Sequence, residues 1–172
     1  DLSAETVLGV LAATERAHRD AFERWADTAD DGRASEAFRA AAETAAEHVD
    51  RLGADRDLPD AGPETGVGGQ DGAVERAAAG LVGASLVLDR ILLQAVNFFV
   101  NEADRQRADL IRDVRTAASE RRDAGIDLLS SLCESDGDWE RATEAVTAAV
   151  AAAYDEYVAT LEGMGIDPKP VC

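Results

Sequence analysis

Two histidines and a glutamate occupy positions that helical periodicity reserves for an apolar core. Between residues 2 and 29 the apolar side chains recur at helical spacing as Leu8, Leu11, Phe22, Trp25 and Ala29, and Glu15 and His18 fill the two steps between Leu11 and Phe22. In the next helical run the stripe is Phe38, Ala41, Ala45, His48 and Leu52, so His48 is core-facing as well. A buried carboxylate costs several kcal/mol unless it is paired, protonated or bound to metal. Such a chain must fold so that these residues meet partners, and that meeting point is the first candidate for function.

The rest of the composition narrows the architecture. Alanine supplies 35 of the 172 residues, aromatics are few and β-branched runs are short, which predicts an all-helical fold in one domain spanning 1–172. Five helices are expected, over about 3–29, 34–53, 72–101, 105–132 and 137–162. Ser3 is placed to cap the first, and Gly53 to close the second. Short polar clusters, Asp30-Asp31-Gly32 and Glu134-Ser135-Asp136-Gly137, separate neighbours. Residues 54–71 carry no helical period. Those 18 residues reach about 60 Å when extended, against about 30–38 Å for a helix of this length, so they can cross a whole bundle and leave helices two and three parallel. The fifth helix is expected to pack along the bundle through Trp139, Val146, Val150 and Tyr157.

The formal net charge is −18, with acidic residues in every segment and Lys169 as the one lysine. A dispersed acidic surface of this kind fits a protein of salt-loving microbes; a basic partner is the competing reading, and it would call for clustering that the sequence lacks. Nucleic acid is excluded as a natural partner, since phosphate recognition relies on Lys and Arg clusters. The longest apolar run, Leu81 to Val100, is interrupted by Asp89 and Arg90, which favours a buried helix over a membrane span. Cys133 and Cys172 form no C-x-x-C pair, so the cytoplasm is the expected location. The nearly all-apolar third helix argues for further burial by pairing, and a homodimer is expected.

A weak internal repeat links the two halves. Glu15 aligns with Asp89, Trp25 with Phe99, Phe38 with Ile111, Ala45 with Ala118, and His48 with Arg121. In the first half, Ala13-Thr14-Glu15-Arg16-Ala17-His18 and Phe38-Arg39-Ala40-Ala41-Ala42-Glu43-Thr44-Ala45-Ala46-Glu47-His48 resemble the first helix pair of rubrerythrin-type proteins of the ferritin-like superfamily. The resemblance covers about residues 7–52 and reaches the third and fourth helices only through the repeat. It implies a four-helix bundle with a long crossover, a fifth helix lying outside the likeness. In that family each half gives a di-iron centre one glutamate and one Glu-x-x-His, whose members project side by side into the core.

Carried over residue by residue, the ligand set is incomplete. Glu15 matches the first-helix ligand and His48 the second-helix histidine, but Ala45 stands where the paired glutamate belongs. In the second half Asp89 replaces a glutamate, Ala118 a carboxylate and Arg121 a histidine. The polar centre is therefore assigned to Glu15, His18, His48, Asp89 and Arg121. Two functions follow from it. One is a ferritin-like bundle that has lost the di-iron chemistry and acts as a structural, binding or oligomerisation module without cofactor. The other is a rubrerythrin-like oxidoreductase in which Glu15, His18, His48 and Asp89 hold Fe, Mn or Zn for redox or peroxide chemistry.

Overall fold

Capping chemistry sets the helix ends. In the computed structural model, which describes residues 3–53 and 70–163, α1 spans Ala4–Thr28, and the Ser3 hydroxyl accepts the Thr6 N–H at 3.1 Å. Helix α2 spans Gly32–Leu52, two residues earlier than its alanine stripe suggests, because the Asp31 carboxylate caps the N–H groups of Arg33 and Ala34. It closes on Gly53, whose φ of 98° is the left-handed conformation that glycine adopts without strain. Helix α3 runs from Ala73 to Asn101 and contains a π-helical stretch at Ala77–Gly83. Helices α4, Arg105–Leu132, and α5, Asp136–Gly163, complete the set. Among the described residues every regular element is a helix, and there is no strand.

Two apolar clusters lie along the length of the first four helices. One joins Phe22, Trp25, Phe38, Ala78, Leu81 and Leu128, which belong to the end of α1, the start of α2, the start of α3 and the end of α4. The other joins Leu8, Leu11, Leu52, Leu92, Phe99 and Ile111, from the opposite ends of the same helices. Each helix thus runs from one cluster to the other, with α2 and α3 pointing the same way and α1 and α4 opposed to them. The crossover expected over 54–71 lies outside the described residues except for Gln70 and Asp71.

The π-helical stretch is closely packed on several sides. All seven of its residues are buried, and small side chains around it let neighbours approach closely. A Cβ built on Gly80 would run into the Trp25 ring, and one on Gly125 of α4 would come 2.6 Å from the Leu81 Cβ. Helix α3 is long and apolar enough to cross a membrane by length and composition; 61% of its most apolar stretch is buried inside the fold.

The fifth helix departs from expectation. It packs on the π-helical stretch through Ala142, Ala149 and a half-buried Val146, while Trp139, Val150 and Tyr157 are exposed. The cause is the narrow gap: a Cβ on Gly83 would stand 2.9 Å from the Ala149 Cβ, so the contact admits only small residues, and the bulky ones turn outward.

Candidate functional site

The two apolar clusters are separated by a charged layer. Glu15 and His18 come from the middle of α1, His48 from α2 and Arg121 from α4, and all four are buried, Glu15 and His18 completely. The helical spacing of the sequence places each on the core stripe of its own helix, and packing those stripes together brings the side chains into contact.

Glu15 is the hub. One carboxylate oxygen accepts hydrogen bonds from His18 Nδ1 at 2.9 Å and Arg121 Nη1 at 3.2 Å. The other accepts from His48 Nδ1 at 2.7 Å and Arg121 Nη2 at 2.9 Å. A carboxylate only accepts, so both imidazoles present Nδ1–H to it, and its four lone-pair sites are filled. The guanidinium approach is two-pronged, the geometry in which arginine recognises a carboxylate most strongly. Arg121 also lies over the Phe22 ring, 5.5 Å from its centre, which shields the pair from solvent.

Burial alone would raise the Glu15 carboxyl above its ordinary value of 4.5; the Arg121 charge and the hydrogen bonds from His18 and His48 outweigh burial and hold it well below that value. With the folded value depressed, the unfolded chain takes up this proton first as pH falls. The stabilisation is therefore complete above about pH 4.5 and is lost as pH falls towards the folded value. Glu15→Gln is expected to lower the urea midpoint at neutral pH, and the gap to wild type should narrow steadily below about pH 4.5. A gap that stays constant on acidification would contradict this account of the centre.

Asp89 does not join the layer. It is half-buried at the edge of α3 and accepts from Arg115 of α4, at 2.7 Å from Nε and 3.3 Å from Nη2. The reason is geometric: Glu15 takes both terminal nitrogens of Arg121, and Arg115 lies on the same edge as Asp89. Ser85 of α3 is instead a buried polar residue of this region, and its hydroxyl has no hydrogen-bond partner. It interrupts the apolar run Leu81-Val82-Gly83-Ala84-Ser85-Leu86-Val87-Leu88, which is the sequence signal that marks it. Glu43 and Glu47 are exposed.

The donor set does not suit a metal ion. Every acceptor site of Glu15 is engaged, a permanent cation sits against it, Asp89 is bound elsewhere, and Ala45 and Ala118 offer no ligand atom. Among the described residues no group of three or more His, Cys, Asp or Glu side chains is arranged to hold a metal. No family model, curated protein or solved structure matches this chain.

Proposed function

We propose that this chain is a ferritin-like bundle whose centre is closed by a guanidinium in place of metal, and that it serves as a structural or binding module. The observation behind this reading is the two-pronged Arg121–Glu15 pair, with His18 and His48 completing the carboxylate's contacts. The parallel course of α2 and α3 and the alignment of His48 with Arg121 in the internal repeat support the ferritin-like part of the reading. Arg121 supplies a charge that a metal ion would otherwise supply, and it does so without redox chemistry. The same reading includes a homodimer, for which the exposed row Trp139, Val150, Tyr154 and Tyr157 on α5 is the supporting surface.

Metal analysis of untagged protein tests the proposal. Protein produced in medium supplied with iron, manganese and zinc is expected to carry only substoichiometric amounts of each. Adding any of the three should leave the melting temperature unchanged, since an ion that bound the folded state would raise it by mass action. A stoichiometric ion whose loading raises the melting temperature would overturn the metal-free reading in favour of an altered metal centre.

A further inference from the structure

The outer side of α5 carries an apolar row that the fold leaves uncovered. Trp139, Thr143, Val146, Val150, Ala153 and Tyr157 follow one another at alternating intervals of four and three residues, the heptad spacing by which one helix packs along another. Trp139, Val150 and Tyr157 are 43%, 40% and 51% exposed, Thr143 is exposed as well, and Val146 and Ala153 are half-buried where the row meets the bundle. The core contact of α5 is made beside this row, by Ala142 and Ala149. In a chain of net charge −18, none of the six positions is charged. By helical spacing Glu144 and Asp155 fall on the far side of α5, and Arg141 is tied to Glu75 and Asp138 of its own chain.

The order of side chains along the row says what covers it. By size it reads the same from either end: a large ring at Trp139 and Tyr157, a small side chain at Thr143 and Ala153, and valine at Val146 and Val150. An antiparallel second copy centred on Ala148 therefore sets Trp139 against Tyr157 of that copy, Thr143 against Ala153 and Val146 against Val150, and the two-fold axis repeats each pair. In the same register Glu140 comes beside Tyr154 of the second copy, so the carboxylate on the row's flank meets a hydroxyl donor rather than another carboxylate. A parallel pairing would instead set large ring on like ring and align the two helix dipoles. We propose that α5 is the interface of a two-fold homodimer, its row from Trp139 to Tyr157 lying antiparallel against the same row of a second copy. The proposal rests on the homodimer included in the reading above and gives it a surface and a register. The row is about 27 Å long on a helix about 10 Å wide, a footprint below the roughly 800 Å² per partner of a standard interface, so the dimer dissociates on dilution. The charge of −18 on each copy opposes association at low ionic strength, and salt strengthens it.

Sedimentation equilibrium across a wide range of protein concentration, at low and at high salt, makes the test. The wild-type chain is expected to move from the monomer mass towards twice that mass as concentration and salt rise. Val150→Glu buries a carboxylate against each Val146 of the pair and should weaken the dimer at least about tenfold while the dilute monomer melts as before. Tyr157→Glu attacks the same row from its end and serves if the first variant folds poorly. Val10→Glu on α1 and Ile126→Glu on α4, at similarly exposed apolar positions off the row, should leave association unchanged. Spin labels on Glu162→Cys, in a chain whose Cys133 and Cys172 are replaced by alanine, should stand about 40 Å apart in the antiparallel dimer, against less than about 20 Å in a parallel one. A dimer that ignores both Val150→Glu and Tyr157→Glu, one that is lost with Val10→Glu or Ile126→Glu, or a short label distance would overturn the α5 interface and leave the homodimer standing. A monomer at every concentration and salt would overturn both.

Discussion

Arg121→Met is expected to destabilise the protein by about 3–5 kcal/mol, a fall in melting temperature of roughly 6–20 °C for a chain of this size. Methionine approximates the volume of the lost side chain, so the effect isolates the charge. What remains is a fully buried Glu15 carboxylate with two imidazole N–H donors and no cation. The second substitution that should relieve it is Glu15→Gln, which removes the orphaned charge. The double variant Arg121→Met/Glu15→Gln should therefore be more stable than Arg121→Met alone, and the two effects should be strongly non-additive. Chemical denaturation of the four proteins of this cycle measures the coupling. Additive losses would mean that the guanidinium and the carboxylate are independent, and the picture of a charge-matched layer would fail.

The glycine in the π-helical stretch offers an equally sharp result. Gly80→Ala places a methyl against the Trp25 ring, 3.0 Å from Cη2, and 3.2 Å from Phe22 Cε1. Both rings are buried, Phe22 completely, and Trp25 is held edge-on against Phe38, so neither can swing aside. Overpacking of this kind costs about 1–3 kcal/mol and occasionally more, against about 1 kcal/mol that alanine gains over glycine in a helix. Gly9→Ala in α1 is the control, because nothing lies within 4 Å of the added carbon. The same substitution should thus lower the melting temperature at Gly80 and raise it at Gly9, with Gly80→Leu worse than Gly80→Ala. A rise at both positions would show that the close approach of α1 to the π-helical stretch is dispensable.

The sequence reveals most where side chains of different chemistry alternate. Periodicity places all five helices within about two residues, and it puts Glu15, His18 and His48 at core positions because a polar residue in an apolar stripe is conspicuous; Arg121 is reached through its alignment with His48 in the internal repeat. It is less informative where alanine dominates. In α5 the bulky Trp139, Val150 and Tyr157 read as the packing face, yet the neighbour is so close that Ala142 and Ala149 do the packing. Asp89 follows the same logic at a finer scale. It adjoins the buried Leu88 on the stripe's edge, and a partner available on that edge, Arg115, decides its place. The π-helical stretch has no signature in Ala77-Ala78-Ala79-Gly80, and the contact that marks it is tertiary: the Trp25 ring stands where a side chain on Gly80 would otherwise be.

Helices this rich in alanine have smooth surfaces, and smooth helices slide. Moving one of them by a turn, about 5.4 Å, would exchange one methyl for another with little penalty. The layer between the two clusters forbids that movement. A one-turn displacement of α1 against α4 would draw Glu15 away from Arg121 and press a bare carboxylate against apolar neighbours, and a shift of α2 would do the same to His48. The charged residues thereby act as a pin through the bundle, whose contribution lies less in net stability than in admitting a single alignment of the helices. A chain stripped of that pin and refilled with leucine could melt higher and still lose its uniqueness, populating several slipped arrangements where the natural sequence holds one.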